Sequence, residues 1–243
     1  DAEPAFCALQ RRLGAGLAAF EVMHASTVAK VREVMPSLPC GYPLAGADGW
    51  LALVEAVHFA AGPGGAAGPA LEPALEELLA AGLIADAAIA ESEAQCRALW
   101  AVREAIPSAF KRAGGNVKHD VSVPRSRLAA FVEKTNADLK QSFAWCAPSV
   151  LGHFGDGNLH YNVGVCAGRP NALCFEHEEA IHAIVYRNVL ALGGSIAAEH
   201  GVGRMKAALL PSARSAAEVA VMRAVKRTLD PDNRMNPGSV LIP

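Results

Sequence analysis

The sequence predicts an α+β fold, in which an antiparallel sheet carries helices packed on one face. Segments with the apolar spacing of helices alternate with short apolar strands along the chain. Two of these strands, within residues 147–165, flank the tight turn signal Asp156-Gly157, which joins antiparallel neighbours. No GxGxxG sequence follows an early strand, so the residues give no indication of a Rossmann cofactor site.

The predicted helices begin or end at residues that favour helix termini. Pro4 lies in the first turn of the first helix, Thr27 can cap the second, and Gly82 ends the third. In chain order, the helical patterns cover residues 3–19, 27–34, 71–82, 92–113, 124–139, 171–192 and 212–229.

The predicted strands are short apolar runs bounded by turn residues. They cover residues 19–24, 50–59, 83–90 and 117–123, with two more inside 147–165. The second of these runs has the apolar character of a central strand. The glycines and prolines of residues 62–69 predict a surface connection, because the GK[ST] ending of a phosphate-binding loop is missing.

Composition and charge exclude several classes of protein. The 243 residues are 52% hydrophobic and 19% charged, which is typical of a globular domain, and no apolar run is long enough for a transmembrane segment. The 22 basic and 24 acidic residues leave a net charge of −2, so nucleic acid is not an expected partner. The six cysteines form no CxxC pair, which favours buried thiols in a reducing compartment. We expect a cytoplasmic protein, either free or peripheral to the inner membrane.

Residues 152–162, with the sequence GHFGDGNLHYN, carry the main indication of chemistry. A two-residue turn at the Asp-Gly dipeptide would place His153 directly opposite His160. Directly opposite Cβ atoms lie about 4.5–5.5 Å apart, so two imidazoles there can share one divalent metal. Asn162 falls on the same face of the hairpin. Without other ligands, two ordinary histidines beside a glycine-rich turn are the favoured explanation of the pattern.

A second polar pair stands among glycines in residues 193–206. Glu199 with His153 and His160 would make a three-ligand set that leaves one position open, as catalytic metal sites need. The neighbouring His200 is then free to act as a base. Taken singly, Glu199 is also explained as a surface charge and His200 as a solvated histidine.

Arg103 and Lys118 are candidates for binding an anion. Arginine suits bidentate recognition of a carboxylate, and lysine supplies a compact positive charge. Spacing alone does not select these two residues from the other basic side chains, which usually lie on solvated surfaces.

Three segments together resemble a known family. GHFGDGNLHYNV, AAEHGVGRMK and LDPDNRMNPGSVL look like the carboxy-terminal part of FAD-linked D-2-hydroxyacid dehydrogenases, such as D-lactate, glycolate and D-2-hydroxyglutarate dehydrogenases, within the vanillyl-alcohol oxidase-like superfamily. The resemblance covers essentially the whole chain. It implies a ferredoxin-like antiparallel sheet of the FAD-linked oxidase C-terminal type, and an FAD-binding domain that precedes this chain and is absent from it.

The resemblance also implies roles for individual residues around a substrate. These are metal ligands His153, His160 and Glu199, carboxylate-binding Arg103 and Lys118, and substrate-facing Asn162 and His200. His200 is further expected to be the catalytic base, and Asn236 to bind the cofactor. The implied metal is divalent, with zinc expected, and the absent domain would bind most of the FAD.

Residues 1–243 are therefore expected to form the substrate- and metal-binding domain of a flavoprotein. The expected reaction oxidises a small D-2-hydroxyacid to a 2-oxoacid by hydride transfer to FAD with metal assistance. The expected partners are an upstream FAD-binding domain or subunit and an unidentified electron acceptor, and the isolated chain is expected to be inactive. Two alternatives are a stand-alone metal-dependent hydrolase and a non-catalytic metal-binding module.

Overall fold

The structure is a computed structural model and describes residues 2–39, 42, 49–57 and 71–242. The described strands form one antiparallel sheet, in the order β2-β1-β4-β5-β3. They are β1 (Leu17–His24), β2 (Trp50–Ala56), β3 (Val117–Ser122), β4 (Cys146–His153) and β5 (Asn158–Val165). The helices are α1 (Ala2–Leu13), α2 (Ala25–Val34), α3 (Leu71–Ala80), α4 (Glu93–Arg112), α5 (Leu128–Ser142), α6 (Ala172–Glu176), α7 (Glu178–Ala191), α8 (Leu210–Ala213) and α9 (Ala216–Leu229). The predicted α+β class and antiparallel sheet are confirmed.

One face of the sheet, which we call the closed face, is covered by the larger hydrophobic core. Side chains alternate between the faces of each strand, so Phe20, Tyr161 and Val121 all point to this side. They pack against apolar residues of α1, α3, α5 and α7. This part of the fold matches the expectation of helices on one face.

The opposite face, which we call the site face, carries a smaller core and the polar residues described below. Met23, Leu53 and Leu151 lie on it and pack against α2 and α4. The expectation that helices occupy one face alone is therefore corrected, because the apolar side chains at the β2-β1-β4 end of the site face also need cover. Towards β5 and β3, the same face carries polar side chains instead.

Two of the strand predictions differ from the structure. The strand predicted at residues 50–59 is β2, and it forms an edge of the described sheet with only β1 beside it. It resembles a central strand because Leu53 packs against one core and Val54 against the other. Residues 83–90 form no strand; this run is rich in alanine, which favours strands poorly, and most of it is exposed to solvent.

The helical pattern at residues 171–192 is divided at His177 into α6 and α7. The pattern at 212–229 is divided between α8 and α9, and α9 begins at a capping box formed by Ser215 and Glu218. The connection predicted at residues 62–69 lies outside the described residues. None of the helices in the described part of the chain is long and apolar enough to cross a membrane.

The described cysteines are all unpaired, as expected. Their burial differs from the prediction, however: Cys146 and Cys174 are buried, whereas Cys96 and Cys166 are exposed. Cysteine is small enough to be tolerated at surface positions of a loop or helix, so composition alone does not fix its burial.

Candidate active site

The hairpin of β4 and β5 brings His153 and His160 together on the site face. Its connection contains a short 3-10 turn, Phe154–Asp156, followed by Gly157 in the left-handed region with φ of 69°. A side chain on Gly157 would also collide with the backbone oxygen of Val123, since a Cβ there would lie 2.2 Å from that atom. Glycine is therefore required at this turn.

The strand register differs from the predicted one by two residues. His160 pairs with Leu151, so His153 lies diagonally from it, further along β4. The predicted pairing of the two histidines directly opposite one another is wrong because the turn is longer than two residues. A shift of two residues keeps every side chain on its original face. The two imidazoles consequently still share the site face, with ring centroids 5.8 Å apart.

Glu199 completes a compact group with these histidines. Its Oε1 atom lies 3.2 Å from Nε2 of His160 and 3.9 Å from Nε2 of His153. The three ligand atoms all lie within 4.8 Å of one another. A tetrahedral zinc centre with bonds of about 2.0–2.1 Å requires ligand atoms about 3.3 Å apart, so this donor set fits such an ion with modest adjustment.

The electrostatic environment favours a neutral imidazole at His160. Burial lowers its pKa, and the positive charge of Arg103 lowers it further, while Glu199 acts in the opposite direction. A neutral imidazole has a lone pair available for a cation, whereas imidazolium does not. His160 is thus in a protonation state suited to coordination at neutral pH.

Arg103 approaches the site face from α4. Its side chain is 13% exposed, and its Nε donates to Oε2 of Glu21 at 2.8 Å. The other carboxylate oxygen of Glu21 accepts a short hydrogen bond from Nδ1 of His153. One buried carboxylate therefore links the predicted substrate-binding arginine to a predicted metal ligand.

Lys118 and Asn162 occupy the next row of the site face. They pair with each other across β3 and β5. His160 lies on the same strand as Asn162, two residues nearer the hairpin turn. Lys118 is exposed and Asn162 is half-buried. The structure therefore brings both predicted substrate-binding residues beside the candidate ligands.

The predicted catalytic residue, His200, borders the same group. Its side chain is 68% exposed, and its ring stacks on that of His160 with centroids 5.8 Å apart. Its Nε2 lies 3.8 Å from Oε1 of Glu199. This position leaves the imidazole open to a molecule bound at the site face.

Asp120 fixes the loop that carries Glu199 and His200. It lies directly opposite His160 on β3, and its carboxylate accepts backbone N–H groups of Ala198, Glu199 and His200 at 2.9–3.4 Å. Burial opposes its ionisation, but the N–H groups of His200 and Glu199 outweigh that effect and lower its pKa. Asp120 also lies within ligand distance of Glu199 and His200, but its oxygens are already committed to the backbone.

Lys206 holds the same loop in place through two further hydrogen bonds. Its ammonium group donates to the backbone oxygens of Asp120 and Ile196, at 3.1 and 2.6 Å. A backbone bridge between Ser122 and Ser195 continues this attachment along β3. The glycine-rich segment is therefore docked on the edge of the sheet, which gives Glu199 a defined position.

The predicted cofactor-binding residue lies in the C-terminal tail. Asn236 is exposed, has a positive φ of 48°, and accepts a hydrogen bond at its backbone oxygen from Ser239. Its tail is tied to the rest of the chain by the N–H of Val240, which donates to the backbone oxygen of Gly203. A contact between Asn236 and FAD stays a prediction.

Sequence reasoning did not identify Glu21 and Asp120 as site residues. Glu21 lies in a strand more than a hundred residues from His153, so only strand order brings them together. A signal was present, because charged residues within apolar strands are rarely buried without a partner. Both residues lie in predicted strands, at 19–24 and 117–123, and both are buried.

Comparison with known proteins identifies the family of this chain. The profile of the family described as "FAD linked oxidases, C-terminal domain" matches residues 1–240. D-2-hydroxyglutarate dehydrogenase from Xanthomonas citri pv. viticola is 37% identical over 167 residues, which are 69% of this chain and 35% of that protein. The mitochondrial D-2-hydroxyglutarate dehydrogenase of Bos taurus is 35% identical over 231 residues, covering 94% of this chain and 40% of that protein.

The chain thus spans well under half the length of these relatives. Among solved structures, 4-ethylphenol oxidase from Gulosibacter chungangensis, in complex with isoeugenol, superimposes with a TM-score of 0.55. The superposition covers 99% of this chain and 51% of that one at 14% sequence identity, so it supports the fold alone.

Proposed function

Because the chain belongs to the family of FAD-linked oxidase C-terminal domains, we propose that it is the substrate-binding domain of an FAD-dependent dehydrogenase for D-2-hydroxyacids. The main support is the grouping of His153, His160 and Glu199 beside Arg103 on one face of the sheet. D-2-hydroxyglutarate dehydrogenases among the relatives support the substrate class.

The candidate ligands suit a divalent cation, with zinc as the proposed ion. Two imidazoles and one carboxylate form a common catalytic ligand set, which leaves a coordination position for substrate. Oε1 of Glu199 lies 3.2 Å from Nε2 of His160 and 3.9 Å from Nε2 of His153, and these separations support the assignment. When bound, FAD accepts hydride from C2 of the hydroxyacid, and the divalent cation supplies positive charge beside the substrate oxygens.

Three side chains of this chain are proposed to orient the substrate. The terminal N–H groups of Arg103 bind its carboxylate, since Glu21 occupies only the Nε side of the guanidinium. Lys118 supplies a second positive charge, and Asn162 offers an amide beside His160. Fixing both ends of a small hydroxyacid holds C2 in one orientation, which is the main contribution expected from this domain.

His200 is proposed to remove the proton of the 2-hydroxyl group. Its exposed ring lies beside the candidate ligands, where a bound hydroxyl can reach it. His200 would then hold the hydroxyl proton, while bound FAD would supply the acceptor for the hydride of C2, so that the hydroxyacid would become a 2-oxoacid.

Family membership favours this proposal over the hydrolase and the non-catalytic binding module. The domain limits 1–243, the FAD contact of Asn236, the electron acceptor and the cytoplasmic location stay predictions. An FAD-binding domain or subunit is the proposed partner, because the relatives are more than twice as long as this chain.

The test is anaerobic flavin reduction by the enzyme assembled from this chain and its FAD-binding portion. We expect D-2-hydroxyglutarate or another D-2-hydroxyacid to bleach the flavin absorbance, and the L-enantiomer to react much more slowly. A His160→Ala variant should keep the flavin and lose rapid reduction. Flavin that no 2-hydroxyacid reduces, or zinc-dependent hydrolysis by this chain alone, would contradict the proposal.

A further inference from the structure

Glu21 occupies an unusual position between two parts of the proposed site. It lies directly opposite His153 across β1 and β4, and its side chain is 6% exposed. Its two oxygens are divided between partners, because Oε1 accepts from His153 and Oε2 accepts from Arg103. A buried carboxylate with two charge-assisted hydrogen bonds has little freedom to move.

The contact with Glu21 determines which nitrogen of His153 carries hydrogen. A carboxylate oxygen facing a ring nitrogen accepts its hydrogen bond, which assigns Nδ1 of His153 as the N–H side of the ring. Nε2 then has the lone pair, and this is the nitrogen that faces Oε1 of Glu199. A carboxylate behind a coordinating histidine fixes the ring and makes the free nitrogen a better ligand.

The contact with Arg103 has a parallel consequence for substrate binding. A guanidinium with 13% exposure needs an opposite charge close by, and Glu21 supplies it at 2.8 Å. Because this bond uses Nε, both terminal nitrogens remain available for bidentate binding of a carboxylate. The orientation of the guanidinium therefore also depends on Glu21.

We propose that Glu21 is a positioning residue. Its single carboxylate orients both the cation ligand His153 and the substrate-binding Arg103. This inference rests on the proposed function for the roles of those two residues. Glu21 itself touches neither substrate nor cofactor; it acts through the side chains that do.

Glu55 provides a control for Glu21, although it is exposed. Glu55 lies on the neighbouring strand β2, and its carboxylate accepts a hydrogen bond from Trp100 of α4 at 3.0 Å. Both glutamates therefore link a strand to α4. Glu55, however, lies opposite Ala19 of β1. Within the described residues, its side-chain hydrogen bond goes to Trp100 and not to a candidate ligand. Glu55→Gln should reproduce any general effect of loosening this helix.

The first experiment determines the tautomer of His153 by ¹⁵N NMR in the zinc-free chain at about pH 8, above the ordinary pKa of imidazole. We expect the Nδ1–H form in the wild type and in Glu55→Gln. In Glu21→Gln the amide can present either its oxygen or its NH₂ group, so a mixture of tautomers is expected. A wild-type ring in the Nε2–H form would overturn the proposal without any variant having to fold.

The second experiment measures the dissociation constant for Zn²⁺ by competition with a chelator. Glu21→Gln should weaken zinc binding about 10–100-fold, the usual effect of removing a carboxylate behind a histidine ligand. Glu55→Gln should stay near the wild-type value. Equal weakening in both variants, or no change in Glu21→Gln, would overturn the positioning role.

Failure of the proposed function would give a different result. An enzyme with the expected tautomer and zinc affinities, but with no flavin reduction by any hydroxyacid, would retain the role of Glu21 towards His153 and refute the dehydrogenase. Conversely, normal hydroxyacid oxidation in Glu21→Gln, with unchanged zinc affinity, would support the dehydrogenase and refute the positioning role.

Discussion

The two faces of the sheet treat the same residue type in opposite ways. On the closed face, His119 is 1% exposed and both of its ring nitrogens are engaged. On the site face, His160 keeps Nε2 directed at a carboxylate that other groups can share. These residues lie on adjacent strands, so alternation of side chains decides which environment each histidine meets.

His119 shows what complete internal pairing requires. Its Nδ1 donates to the backbone oxygen of Tyr161 at 2.8 Å, so Nε2 accepts from Nδ1 of His182, also at 2.8 Å. The other nitrogen of His182 faces Glu178 at 3.4 Å. Both ring nitrogens of His119 are therefore occupied, and neither is available for a ligand. A histidine is therefore a candidate ligand when the fold leaves one of its nitrogens without a partner, rather than through its burial alone.

The largest expected effect lies on the site face. In the assembled enzyme, His200→Asn should lower kcat about 10²–10⁴-fold, because a positioned base contributes that much to proton transfer. The control is His177→Asn, since His177 is exposed and contacts Phe143 and Trp145 away from the candidate ligands. Steady-state kinetics under substrate saturation measure the effect, and equal rates for the two variants would remove His200 from the proposed role.

A smaller effect, on stability, should appear on the closed face. His119→Ala should lower the free energy of unfolding by about 2–4 kcal/mol, because it opens a cavity and removes the hydrogen bonds of the buried ring to Tyr161 and His182. His200→Ala, at an exposed position, should change it by less than about 0.5 kcal/mol. Urea unfolding of this chain compares them; similar losses in both variants would contradict the contrast between the faces.

The free energy of unfolding should also depend on pH because of His119 on the closed face. Burial, reinforced by His182, lowers the pKa of His119 to about 3 from 6.5. The unfolded chain therefore binds a proton that the folded chain excludes, and stability falls as pH drops below about 6.5. From about pH 7 to pH 5, this group should cost on the order of 2 kcal/mol.

Urea unfolding at the two pH values checks this prediction, with His119→Gln as the variant that cannot titrate. The pH-dependent loss should be smaller in that variant by about the stated amount. Asp120 does not obscure the result, because its pKa is lowered and its contribution is lost only below its ordinary titration range near 3.8. An identical slope in the variant and the wild type would show that His119 takes up its proton without unfolding.

Much of the site could be predicted from local sequence because its main parts are local. The Asp-Gly turn predicted a hairpin with His153 and His160 on one face, and that arrangement survived an error of two residues in the register. Because side chains alternate between the two faces of a strand, a shift of two residues leaves each side chain on the same face. Glu199 could be named as a third ligand from its chemistry and its glycine neighbours, but a loop has no periodicity from which its position follows.

The remaining features depend on the order of strands and on helices added to both faces. Glu21 meets His153 only because β1 lies beside β4, and Arg103 meets Glu21 only because α4 packs on the site face. Periodicity gives no strand order, so these contacts could not be foreseen. The same limitation explains why β2 was expected at the centre of the sheet.

The most direct test of the central claim is zinc X-ray absorption on this chain loaded with one equivalent of Zn²⁺. We predict scattering from two imidazole rings and a carboxylate at about 2.0–2.1 Å. The imidazole signal should disappear in a His153→Ala/His160→Ala double variant whose circular dichroism matches the wild type. Zinc without imidazole ligands in the wild type, or an unchanged spectrum in the double variant, would contradict the claim.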